Sequence, residues 1–306
     1  MSPKSRLARY SLWSVGFSRE HFAQLAAAGR VEKFWIEDAV GLAVVAEELG
    51  FGSLWLGGLS ADLKVAESAL AATKDLTVAT GVINIWQCPV DEVAASFHRL
   101  EAAYPGRFLL GIGSGHREFG NDEGPGRAGP PPTRSPLQAL ADYLDRLDTA
   151  GVPQPRRVIS ALGPRMLHLA AQRSAGAHPF DTTPEHTQQA RQLVGPDALI
   201  TPIQGVAIST DTDYARALGR QALQLQLPLA NYRNLFKRLG FTDEDIAAPG
   251  SDRLVDSLVA QGSIPQVAGR IDAHLAAGAN QVSIQVVNDA PEVVDRVREL
   301  AAHLAK

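Results

Sequence analysis

The run Ala276-Ala277-Gly278-Ala279-Asn280-Gln281-Val282-Ser283-Ile284-Gln285-Val286-Val287 decides how the chain folds. It ends an amphipathic stretch that begins at Val267, stops that stretch at a glycine, and passes a few residues later into a β-branched run. The same unit recurs. Ile36–Leu49 stops at Gly50 before Ser53–Leu56, and Val90–Ala103 stops at Tyr104-Pro105-Gly106 before Phe108–Ile112. Met166–Ala175 passes through Gly176 into Ala177–His178. Glycine after a helix takes the left-handed position that a Cβ penalises. The apolar spacing agrees: Val90, Val93, Phe97 and Leu100 share one helical face, as do Val293, Val297, Leu300 and Leu304.

Ser11–Val15, Leu76–Val82, Val158–Leu162 and Leu199–Ile208 are further strands, bringing the count to about eight. Strands alternating with helices predict a parallel sheet, either closed or covered by helices on both faces. An open doubly wound sheet announces its nucleotide site by a glycine fingerprint after the first strand, and none follows Ser11–Val15. The predicted fold is therefore α/β, a (β/α)8 TIM barrel, with residues 1–306 as a single domain. Two segments break the repeat. Ser114–Pro136, with Pro130-Pro131-Pro132, reads as a long loop inserted after strand 4, and Asp211–Asp256 as extra helices between strands 7 and 8, broken at Leu227-Pro228.

Composition narrows the function. The 306 residues are 45% apolar and 20% charged, ordinary globular proportions. A net charge of −4, with 29 basic residues spread along the chain, argues against nucleic acid. Apolar runs such as Leu42–Ala46 fall far short of the ~20 residues that span a bilayer, and no apolar region follows Lys4, Arg6 and Arg9. Cys88 stands alone, so neither a disulfide nor a zinc cluster is expected, and the expected location is the cytoplasm.

In a barrel the residues just after each strand carry the site. Gly81 interrupts a β-branched run in Ala79-Thr80-Gly81-Val82-Ile83-Asn84-Ile85-Trp86, which marks a bulge, a close ligand approach, or relief of packing in the barrel taper. Asn84 and Trp86 then face the mouth or belong to the loop. Gly111-Ile112-Gly113-Ser114-Gly115-His116 puts alternating glycines, against which a flat ring can lie, before a titratable imidazole. His116 is the candidate catalytic residue, with a solvated loop histidine as the plain alternative. Leu162-Gly163-Pro164-Arg165 opens a helix with proline in its first turn and no side-chain cap before it, leaving amides for an anion or making an ordinary turn. Gly176-Ala177-His178 ends the next strand beside it. Thr183-Pro184-Glu185-His186 reads as a capped helix start, and His98, His168, His274 and His303 as packed or solvated helix residues. No metal site is expected.

Together these motifs resemble the luciferase-like flavin and deazaflavin oxidoreductases, in the branch described as coenzyme F420-dependent. The resemblance runs over nearly the whole chain and rests on the runs 79–86, Tyr104-Pro105-Gly106-Arg107-Phe108-Leu109-Leu110-Gly111-Ile112-Gly113, Leu162–Leu167, Ala175–Pro179 and Gly250-Ser251-Asp252-Arg253-Leu254-Val255-Asp256. It implies a barrel with a bulge and a non-prolyl cis peptide at the end of the third strand, here Gly81–Val82, supporting the cofactor ring. It implies contacts to the cofactor from Gly57, Gly81, Val82, Asn84 and Gly113, and from Leu162, Gly163, Pro164, Arg165, Gly176, Ala177 and His178 around its phosphate. The position where relatives carry a proton-transfer carboxylate is His116 here, and Leu56-Gly57-Gly58-Leu59 replaces the histidine some relatives carry after the second strand. The implied activity is hydride transfer between coenzyme F420 and a small organic substrate. The alternatives are an FMN-dependent monooxygenase that consumes oxygen and a non-catalytic cofactor-binding barrel. A homodimer is expected.

Overall fold

In the computed structural model, residues 7–15, 39–115, 135–288 and 292–305 are described. The strands are β1 Tyr10–Val15, β2 Ser53–Gly57, β3 Thr77–Thr80, β4 Ile83–Asn84, β5 Phe108–Gly113, β6 Arg157–Ile159, β7 Gly176–Ala177, β8 Leu199–Ile200, β9 Ile203–Ile208, β10 Val259–Gly262 and β11 Val282–Val286. Every pairing between them is parallel, in the order β10-β9-β11-β1-β2-β3-β5-β6-β7-β8, with β4 on β5.

The helices between them are α1 Ala39–Glu48, α2 Lys64–Ala71, α3 Val90–Ala103, α4 Pro136–Thr149, α5 Pro164–Arg173, α6 Pro184–Val194, α7 Thr212–Leu223, α8 Ala230–Arg238, α9 Asp243–Ile246, α10 Asp252–Leu258, α11 Ile264–Ala276 and α12 Val293–Leu304. α3 has the predicted bounds because its apolar face is regular and Tyr104 cannot continue it. α5 begins earlier than predicted, at the proline that presets its first turn. Gly50 and Gly278, at φ +80° and +102°, take the left-handed turns expected where a helix passes to a strand.

The sheet is curled. Trp55, Ala79, Leu109, Val158 and Leu199, from five different strands, form one buried cluster with Trp13 on the inside of the curl. A larger core lies outside it, between the sheet and α1 to α6, α11 and α12. Residues 199–208 carry ladders on both edges. Leu199, Thr201 and Ile203 donate to Ala175, Ala177 and Pro179 on one side, and Ser283 and Val287 donate to Pro202 and Val206 on the other. Pro202 has no N–H, so what the sequence presents as one strand is two, β8 and β9. This is an α/β fold whose curled parallel sheet is consistent with a (β/α)8 barrel.

α7 to α10 pack on β9 and β10 around a second core of Leu218, Leu235, Phe236, Leu254, Val255 and their neighbours. β10, which the sequence reading missed, adds to β9 beside this core. The predicted loop 114–136 and its candidate His116 lie almost entirely outside the described residues, which resume at Ser135. No helix among the described residues is long and apolar enough to cross a membrane.

Candidate functional site

The strands of a parallel sheet all end at one rim, so the side chains there converge whatever their separation in sequence. At the end of the third strand the pairing shifts. Val78 and Ala79 face Phe108 and Leu109, but Ile83 and Asn84 face Ile112 and Gly113, so one extra residue is accommodated in 80–82. The Gly81–Val82 peptide within this bulge is cis. The bulge turns the Thr80 carbonyl onto Gly111, where a Cβ would lie 1.8 Å from that oxygen, and the Thr80 hydroxyl donates to the Gly111 carbonyl at 2.7 Å. Gly111 is therefore required by backbone contact.

Trp13 organises the rim and was not singled out from sequence. Its indole N–H donates to the Gly81 carbonyl at 2.8 Å. A Cβ on Gly57 would stand 2.7 Å from Trp13 Cζ2, and one on Gly81 would stand 2.6 Å from its Nε1. These two glycines thus make room for an indole, and Gly81 lies in the bulge expected there. The Trp13 ring lies 5.3 Å from that of Phe180, just past β7, and both are only partly buried. A Cβ on Gly113 would press on Val82 Cγ2 at 2.7 Å and on Ser160 Cβ at 3.2 Å. Asn84 receives the Trp86 amide on its Oδ1 at 3.0 Å, and Gly115, at φ +54°, runs against the Asn84 side chain.

A second group of predicted residues lies at the start of α5. Gly163 is its N-cap, and no side chain bonds the amides of its first turn. Pro164 and Arg165 are exposed. The guanidinium of Arg238, at the end of α8, lies 3.7 Å from where a Gly163 Cβ would be, and has no carboxylate partner among the described residues. Leu162 turns its carbonyl to His186 Nε2 at 2.9 Å and its side chain toward the second core. Thr183 caps α6 as predicted, receiving the His186 amide at 3.4 Å.

β7 and the residue after it divide the predicted residues. Gly176 is required by the neighbouring strand, since a Cβ would meet the Leu199 carbonyl oxygen at 1.9 Å. The Ala177 side chain packs in the outer core. His178 faces the interior of the curl, stacked on Trp55 at 4.0 Å, with Nδ1 against the Thr201 carbonyl at 2.6 Å. Burial pushes its imidazole down to about 3, so the ring is neutral and Nδ1–H is the donor. Its Nε2 is buried without a partner among the described residues. Asp181, passed over in the sequence, is fully buried beyond Phe180 with its carboxyl raised to about 7 by desolvation. Among the described residues no group of three or more His, Cys, Asp or Glu could hold a metal.

What the site offers is a partly open aromatic and glycine surface at one end of the sheet and, separately, an uncapped helix N-terminus flanked by arginines. A family model for luciferase-like monooxygenases matches residues 17–281. No curated protein matches the chain. Among solved structures, an F420-dependent secondary alcohol dehydrogenase in complex with an F420-acetone adduct superposes with a TM-score of 0.71 at 14% identity, covering 97% of this chain and 99% of that one. A coenzyme F420-dependent tetrahydromethanopterin reductase from Methanopyrus kandleri gives 0.62 at 15% identity, covering 97% and 99%. The oxygenating constituent of 3,6-diketocamphane monooxygenase from Pseudomonas putida, in complex with FMN, gives 0.67 at 13% identity, covering 97% of each chain. At these identities the likeness is one of fold.

Proposed function

The chain belongs to the luciferase-like monooxygenase family, and from that premise we propose that it is an oxidoreductase that binds coenzyme F420 at its rim and transfers hydride between it and a small organic substrate. The observation that carries this reading is the pairing of two separate features that match the two ends of such a molecule. The partly open surface of Trp13, Phe180 and the 80–82 bulge suits a flat ring. The uncapped α5 N-terminus beside Arg165 and Arg238 suits its phosphate, because open amides and cations both favour an anion there. The donor set therefore fits the group.

When bound, the deazaflavin supplies the hydride chemistry, and the protein supplies binding, orientation and exclusion of water. Trp13 and Val82 would support the ring, with Gly57, Gly81 and Gly113 keeping the approach free of side chains. Asn84 holds the 113–115 backbone in place beside it. Gly163, Pro164 and Arg165 would hold the phosphate. His178, neutral and fixed by Thr201, presents an acceptor within the curl and cannot serve as an acid. A proton partner is then expected from His116, beyond β5. The same reading takes the frame as a closed (β/α)8 barrel, supported by the two-edged segment 199–208, with 114–136 and α7 to α10 as its insertions.

The test is a titration of purified protein with coenzyme F420 and, separately, FMN, followed by tryptophan fluorescence, since Trp13 is partly open at the rim. Saturable binding of F420 is expected. Absence of saturable F420 binding removes the proposal, and saturable FMN binding with oxygen uptake on reduction would move the chain to the FMN-dependent reading that the diketocamphane monooxygenase likeness keeps open.

A further inference from the structure

Between the bridge residue Phe180 and the N-cap Thr183, Asp181 adopts a left-handed backbone at φ +50° and is buried with only 6% of its surface exposed. Gln226, in the turn between α7 and α8, is also buried, and its side chain lies against the Asp181 carboxyl as the polar neighbour that lowers its pKa. That contact ties the segment after β7 to the inserted helices. The two atoms it leaves over, Asp181 Oδ2 and Gln226 Oε1, are both buried acceptors without a hydrogen-bond partner among the described residues. If the carboxyl were ionised, both would stay unpaired in a site closed to water, which native interiors avoid. A single proton resolves both. A neutral carboxyl donates from Oδ2 to Oε1 while the amide donates to Oδ1, closing a ring of two hydrogen bonds.

We propose that Asp181 and Gln226 form a neutral acid–amide clamp that pins the inserted helices to the segment after β7, making Asp181 a positioning residue for the rim. Phe180, one residue earlier, carries the ring that packs on Trp13, so the clamp fixes one side of the aromatic surface. The electrostatics agree with the geometry. Desolvation raises the Asp181 carboxyl to about 7, opposed by the Gln226 side chain. Tyr232 of α8, the ionisable group facing it from the inserted helices, is fully buried with its phenol pushed well above its ordinary value, so it stays neutral. His178, in the same segment, is neutral as well. The clamp is closed at pH 6 and gives way as the pH rises through about 7.

The inference builds on the rim as the working end, but its first tests need no cofactor. The experiment follows the Asp181 carboxyl carbon by ¹³C NMR in the whole protein, with the resonance assigned by its loss in Asp181→Asn. A midpoint near 7 is expected, and one in the ordinary carboxylate range overturns the clamp. Thermal unfolding supplies the second arm. Asp181→Asn, whose amide reproduces both ring bonds without a titrating group, should be more stable than the wild type at pH 6 and exceed it by a wider margin at pH 8.5, because ionisation of the unfolded carboxyl already costs the wild type stability above about pH 4. Asp181→Leu should fall below Asp181→Asn at either pH. An Asn variant that fails to fold, or that loses as much as Leu at pH 6, refutes the proposal. In the F420 titration, wild-type affinity should decline as pH passes 7 while the Asn variant stays flat. If neither binds F420, the proposed function fails, and the NMR midpoint still decides the clamp.

Discussion

Trp13 and Gly57 should be energetically coupled, and the size of the coupling follows from the packing. In Gly57→Ala the new methyl would lie 2.7 Å from Trp13 Cζ2, 3.3 Å from Cη2 and 3.2 Å from the Gly81 carbonyl oxygen. Carbon atoms pack best at about 3.5–4.0 Å, so the indole has to move. It is held against moving by its N–H bond to Gly81 at 2.8 Å and by Phe180. Overpacking of this kind costs about 1–3 kcal/mol. Trp13→Phe removes the N–H donor and the benzo edge carrying Cζ2 and Cη2, at about 1–2 kcal/mol for the lost bond. In the double variant the methyl enters space that the phenyl ring leaves free. The double loss should therefore be smaller than the sum of the single losses by at least about 1 kcal/mol. Urea unfolding of the four proteins, with unchanged m-values, measures it. Additivity within about 0.5 kcal/mol would refute the statement that Gly57 is glycine because of the Trp13 ring.

Arg238→Ala should weaken F420 binding by about 5–30-fold, corresponding to about 1–2 kcal/mol for a partly solvated cation beside a phosphate, with no loss of thermal stability. Titrations at low and high salt should converge for the variant and differ for the wild type, and an unchanged dissociation constant would remove Arg238 from the anion site. His178 and His274 are both held near 3, against about 6.5 unfolded, so each costs about 1.4 kcal/mol of stability per unit as pH falls below 6.5. Asp181, with its folded value raised, acts in the opposite sense: its contribution is full below about 4 and is lost as pH rises through 7. Between pH 6 and 4.5, His274→Gln should therefore flatten the acid loss of stability by about 1.4 kcal/mol per pH unit, and Asp181→Asn should steepen it by the same amount. Urea unfolding at several pH values checks both signs.

The frame was legible because it is repetitive. α3 and α12 have the apolar period written along them, and the glycines at 50 and 278 stop helices where expected. The bulge was visible in Gly81, an odd residue in a β-branched run, although the reason for the glycine was not. Trp13 lies in a strand where an aromatic residue reads as ordinary core, and only the curl of the sheet brings it to residues 57 and 81. The Ala177 side chain packs in the outer core, as strand alternation turns it away from the face that His178 takes. β10 has no period of its own and exists because β9 has an edge to offer. Arg238 and Asp181 were missed because what singles them out is a long-range neighbour, Gly163 for one and Gln226 for the other. Tertiary contact, not local pattern, makes both of them interesting.

A crystal structure of the protein grown with coenzyme F420 tests the central claim most directly. The account predicts the deazaflavin ring over Trp13 and the 80–82 bulge, with the phosphate at the Gly163–Arg165 turn. A ring bound elsewhere, or a phosphate remote from α5, would contradict it.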